Sequence, residues 1–244
     1  MVTVRNPRHS LRLAWPKLDS AQVLPRIKAL KPDANLFSEG AVGLCAAAAF
    51  FHHIIQKNPA EFESFANALY GAGLGFLGKF KVAPGVDLRN ADYAALAARF
   101  VGMPPQADWM LMSSVRDSEK WFFDFEGSPD ESFAISTSAK EMSGWYNDTD
   151  FYTNVTYSDD TSAAKIRAIS KTANNHIALW IRIALLGDPR SDTHMITLEG
   201  PITIDEAADI ATFNYWTWGQ PVKTLATTFT TLKANYLGSI TATF

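Results

Sequence analysis

The chain has 244 residues, of which 47% are apolar and 19% charged, and its net charge is −3. A chain of this length buries about 70–75% of its unfolded surface and needs no disulfide staples; its slight acidity excludes general nucleic-acid binding. A single cysteine, Cys45, excludes an internal disulfide and any multi-cysteine metal site.

Residues 1–31 carry seven Arg or Lys against the single acid Asp19, and Pro7, Pro16, Pro25 and Pro32 punctuate the same stretch. This reads as a basic, proline-containing arm over residues 1–34 with one short helix, followed by a single domain over 35–244. No apolar run of signal-peptide length opens the chain. The most apolar stretch, IALWIRIALLG at 177–187, is too short to span a bilayer and carries Arg182 in its middle. The expectation is a protein made in the cytoplasm, without a transmembrane segment, that leaves the cell only by a route needing no cleaved signal.

Helices dominate the first two thirds. LCAAAAFFHHIIQK at 44–57 is rich in helix formers and stops at Asn58-Pro59, which opens a second helix, AEFESFANALYGAG. The glycine-rich GAGLGFLGKF reads as a turn and fits no phosphate-binding fingerprint. Further helices are expected from Asn90 to Phe100, Ala107 to Asp117, 137 to 152 behind a Ser/Thr cap, and 160 to 173, with a short strand in WFFDFEG at 121–127. The character changes near residue 175. HIALWIRIALLG, THMITLEGPITI, IATFNYWTWGQPVKTL and LGSITATF are β-branched, aromatic and bounded by turns. Helices first and an antiparallel sheet last define the expected α+β class.

Cys45 falls at a helix start just after Gly43-Leu44. Open backbone N–H groups and the helix dipole stabilise a thiolate there, and a nearby glycine lets backbone approach a reacting carbonyl. A thiolate nucleophile needs an imidazole. His9 lies in the basic arm. His52 and His53 ride the same helix about 10–12 Å along its axis and cannot reach the sulfur. His52-His53 also matches no metal-ligand motif. His176 and His194 remain, and His194 opens a strand behind a polar turn, where it can face a helix N-terminus. On the following strand, Asn214 is the most suitable polar residue to orient the imidazole, with Thr217 and Gln220 nearby. If Cys45 is instead an inert core thiol, His194 should lie more than about 8 Å from the sulfur, beyond hydrogen-bond reach.

A cysteine at a helix start, a histidine at a strand start about 150 residues on, and then FNYWTWGQP together resemble the papain-like cysteine protease superfamily. The GLC motif, the TSAKEMSGWY helix and that aromatic tail are similar to its bacterial YopT-like and bacteriocin-processing branches. The resemblance implies a papain-like α+β fold, with the cysteine helix in an N-terminal helical half packed on a C-terminal antiparallel sheet. It implies Cys45, His194 and Asn214 as catalytic residues of a protease, deamidase or amidase, with Trp216 and Trp218 walling the cleft. Where the family has an upstream glutamine, this chain offers Asn35, Ser38 and Glu39; Asn35 or Ser38 is expected to bind the oxyanion with the Cys45 N–H. The implied partner is a protein or peptide amide substrate, and no metal or organic cofactor is implied. Effector or toxin roles, and a cognate inhibitor or immunity protein, follow from the same resemblance. Acyl transfer on the same triad and a catalytically inactive binding scaffold are the alternatives.

Overall fold

The computed structural model describes residues 14–119, 126–131, 137–190 and 192–244. Residues 1–13, with His9, and residues 120–125, which hold most of the expected WFFDFEG strand, lie outside the described residues. Within them the chain is α+β, with nine α-helices and an antiparallel seven-stranded sheet.

The body begins well before residue 35. Helix α1, Ser20–Leu30, is N-capped by the Asp19 side chain, which accepts from the Ala21 N–H. Trp15, Val23, Ile27 and Leu30 are buried in the same core as the helices that follow. The domain boundary expected at residue 34 therefore falls inside a packed unit; the proline content that suggested an arm is outweighed by the apolar face of α1.

Helix α2, Cys45–Lys57, is buried on nearly every side, from Ala46 through Ile55. A helix apolar all round belongs in a protein centre, and α2 packs against the sheet strand bearing His194 as well as neighbouring helices. The run Ala46–Ala49 presents only methyl groups, so the helix sits close to its neighbours. Pro59 occupies the first turn of α3, Pro59–Ala72, where its missing N–H costs nothing. The glycine-rich stretch forms a small hairpin, β1 Gly75–Leu77 with β2 Phe80–Val82. The helix expected from Asn90 is divided into α4, Val86–Asn90, and α5, Tyr93–Arg99, with Asp92 capping the second. Helix α6 spans Gln106–Ser118. Helix α7, Ala139–Asp148, starts with the expected cap: Ser138 and Glu141 form a reciprocal capping box.

The sheet contains β3 Asn154–Ser158, β4 Asn175–Arg182, β5 Thr193–Leu198, β6 Thr203–Asp205, β7 Ile210–Trp216, β8 Lys223–Thr228 and β9 Tyr236–Thr243. Two short helices, α8 Ala163–Arg167 and α9 Phe229–Asn235, interrupt them. β3 was not legible in the sequence, and the helix expected over 160–173 shrinks to α8. β9 and β5 flank β4, and β7 pairs with β5 and β6 on one edge and with β8 on the other. Strand alternation divides the side chains between two cores. Ala178, Met195, Trp216, Ile240 and Ala242 join the helices, while Leu179, Ile196, Phe213 and Leu232 fill a second core. Both faces are covered, which is why β4 reads as a continuous apolar run.

The β5–β7 ladder starts only at Thr197 paired with Trp216. The first half of β5, with His194 and Met195, has no strand partner on that edge among the described residues. The N-terminus of α2 arrives there, and the Met195 backbone lies close enough to the Cys45 sulfur to favour its thiolate form.

Candidate active site

The loop before α2 is set by a buried ion pair. Asp108, fully buried on α6, accepts from Arg26 Nε at 2.9 Å and Nη2 at 2.8 Å, and also from the Ser38 N–H at 2.8 Å. This anchors residues 37–39 to the body. The chain then turns through Gly43, at φ +70°, into α2. That left-handed value suits glycine alone among residues without strain. Cys45 is the first residue of α2, and no side chain caps the helix, so the first-turn N–H groups are left without intrahelical acceptors.

Cys45 is half-buried at the floor of a cleft of about 800 Å³. One side-chain donor atom each from Glu39, Cys45 and His194 lies within 4.8 Å of the others. The separation expected of an inert core thiol, more than about 8 Å, is thus not found. His194 Nε2 hydrogen-bonds Thr217 Oγ1 at 2.5 Å, and both residues are buried. The Trp218 indole stacks on the imidazole, with ring centroids 4.5 Å apart. Trp218 has φ +54° and Gly219 φ +68°. A bulky residue in the left-handed region stores strain; here the strained turn directs the indole over His194. A Cβ on residue 219 would lie 2.6 Å from the Phe37 carbonyl oxygen, so glycine is required where this turn crosses the anchored loop.

Several expected site residues lie elsewhere. Asn214 is exposed in register with Thr224, whose hydroxyl donates to Asn214 Oδ1 at 2.7 Å. The pairing of β7 with β8 commits that side chain to the cross-strand contact, and the residue reaching His194 is Thr217, just past the strand end. Asn35 turns its Oδ1 to His52 Nε2 at 3.2 Å, and Ser38 is held by Asp108; neither lines the cleft. Trp216 is 2% exposed and stacks on His52 at 4.0 Å, so it is core, whereas Trp218 does wall the cleft. His176, on β4, stacks on His53 of α2 and does not line the cleft. The polar group before Cys45 that reaches the site is Glu39. Its signal in the sequence was an acid wedged between Phe37 and GAVG, a setting that buries side chains.

Burial sets the resting charges. It pushes the Glu39 carboxyl up to about 8, with Arg190 opposing. It pushes the Cys45 thiol up to about 12, and the Glu39 charge adds to this, while the N–H groups of Met195, Ala46 and Cys45 pull it back. Burial, then Arg190, lowers His194 to about 3. At neutral pH all three groups rest uncharged, and a neutral carboxyl can donate a hydrogen bond. The rim carries Asp188, Asp192 and Arg190, with Arg190 paired to Asp188 at 2.7 Å.

A second cluster lies about two turns along α2. His52, His53 and Glu199 also bring one potential ligand atom each within 4.8 Å.

No family model, no curated protein and no solved structure matches this chain. Among the described residues, no helix is long and apolar enough to cross a membrane.

Proposed function

We propose that the protein is a cysteine hydrolase acting on an amide bond, with a papain-like arrangement of Cys45, His194 and Thr217. The observation that carries this reading is Cys45 at the N-terminus of α2, beside the His194 imidazole, whose Nε2 is hydrogen-bonded to Thr217. Cys45 Sγ attacks the carbonyl carbon as His194 takes the thiol proton. The backbone N–H of Cys45 and the neutral Glu39 carboxyl face the oxyanion. The tetrahedral intermediate collapses, the C–N bond breaks, and His194 returns its proton to the departing amine. Water, deprotonated by His194, then attacks the thioester and releases the acid. If an amine replaces that water, the same first half-reaction leads to acyl transfer.

Thr217 holds the imidazole ring through a hydroxyl that can donate or accept, and it brings no charge, so it stabilises the imidazolium less than a carboxylate would. That, with a thiol raised to about 12, favours one second reading, an inactive scaffold that binds a partner in the cleft. Peptidyl aldehyde and epoxide probes separate the two, read as a mass adduct on Cys45. Hydrolase chemistry gives a stoichiometric adduct on the folded protein, slowed about 100-fold in His194→Ala. An adduct that forms only after unfolding, at equal rates in both proteins, rules for the scaffold.

A further inference from the structure

We propose that His52, His53 and Glu199 form a zinc site that ties helix α2 to strand β5. This does not depend on the hydrolase reading, because none of the three lines the cleft. Two observations converge. One is the placement of three ligand atoms within 4.8 Å of one another. The other is that His53 Nε2 is buried with no hydrogen-bond partner in the protein, although His53 is only 1% exposed. An isolated buried imidazole nitrogen is costly unless something meets it.

The surrounding bonds prepare each ligand. Asn35 Oδ1 can only accept, so the 3.2 Å contact puts the proton on His52 Nε2 and leaves the lone pair on Nδ1. That nitrogen lies 3.6 Å from Glu199 Oε1. Two ligands at about 2.0–2.2 Å from a tetrahedral zinc stand about 3.3–3.6 Å apart, so this edge of the site is already at ligand spacing. His53 Nδ1 meets Tyr146 Oη at 2.6 Å; when that nitrogen donates, Nε2 presents its lone pair. Gln56 holds Glu199 Oε2 at 3.2 Å, and the Thr197 hydroxyl donates to Glu199 Oε1 at 3.0 Å while lying 3.4 Å from His52 Nδ1, so it bridges the two ligand atoms and must turn aside from His52 when an ion enters. Hydrogen-bonded histidines and a supported carboxylate are the second shell that orients metal ligands. Two imidazoles and one carboxylate suit zinc better than magnesium or calcium, which take oxygen donors. Glu199 is 16% exposed and marks the entry side.

Lys171 opposes the ion. Its charge acts on both Glu199 and His53, while its ammonium is held by the Thr172 and Asn175 carbonyls. Removing that charge should therefore tighten binding. The consequence for the molecule lies in where the ligands sit. α2 carries Cys45 as well as His52 and His53, and β5 carries His194 and runs into Glu199. An ion here fixes the two elements that place the thiol against the imidazole.

The test loads the full-length protein with zinc chloride, removes excess ion by dialysis, and measures zinc per chain by mass spectrometry. We expect one zinc per chain in the wild type and in Cys45→Ala, binding weakened at least about tenfold in Glu199→Gln and in His53→Phe, and tighter binding in Lys171→Met. Glu199 is partly exposed, so Glu199→Gln keeps the fold even if His53→Phe does not. Cobalt loading adds a spectroscopic check, a ligand-field spectrum without a sulfur charge-transfer band. No retained zinc overturns the proposal. So does zinc lost in Cys45→Ala with a sulfur band in the cobalt protein, which places the ion in the cleft, and so does full binding by a folded Glu199→Gln.

Discussion

Burial makes Glu39 a residue whose ionisation is felt by its surroundings. It is 3% exposed, its carboxyl is raised to about 8, and its charge adds to the upward shift of the Cys45 thiol. The sign of the effect follows from linkage. A carboxyl whose folded pKa lies above its unfolded value contributes stability that is complete below about pH 4.3 and is lost as pH rises through about 8. Glu39→Gln removes the ionisation and keeps a hydrogen-bond donor. Its stability should exceed that of the wild type by about 2–4 kcal/mol at pH 8.5, with the advantage nearly gone at pH 5. Urea unfolding at the two pH values checks this; an advantage equal at both would mean that Glu39 does not titrate in this range.

At the scale of elements, the loop before α2 depends on Asp108. Its carboxylate, fully buried, satisfies Arg26 and the Ser38 N–H together. Asp108→Ala strands a partly buried guanidinium and an N–H, and should cost about 3–5 kcal/mol in urea unfolding. The paired change Asp108→Leu with Arg26→Met should recover much of that loss, because apolar replacement of a whole buried pair is often nearly neutral. A loss below about 1 kcal/mol for Asp108→Ala would show that the pair is solvated. The same loop shows where sequence reading stops. The helix of Cys45 was legible from its alanines, its Gly43 approach and its Asn58-Pro59 stop, all local signals. Asn35, Ser38 and Glu39 sit within five residues of one another, and which of them meets the cleft is decided by Asp108, seventy residues away from Ser38.

For the whole molecule, the change from helices to strands near residue 175 was legible because β-branched and aromatic runs replace helix formers. Cys45 and His194 were legible because a helix start and a strand start are local features. Thr217 was missed in favour of Asn214 because strand length and register decide it: β7 pairs Asn214 outward with Thr224, and the strained turn at Trp218-Gly219 brings Thr217 back to His194. β3 was missed because its five residues alternate only between exposed and half-buried positions. The His52, His53 and Glu199 cluster had no motif because Glu199 lies 146 residues beyond His53 and meets the pair only when α2 lies on the sheet.

The central claim is that His194 activates Cys45, and the pH dependence of Cys45 alkylation by iodoacetamide, in the folded wild type and in His194→Ala, tests it most directly. The sulfur is the only thiol in the chain, so the reaction reports one site. The thiol rests protonated, so the account predicts labelling of the folded wild type that depends on proton transfer to His194 and falls at least about tenfold in His194→Ala. Labelling that is equally slow in both proteins and follows global unfolding would contradict it and leave Cys45 an inert thiol.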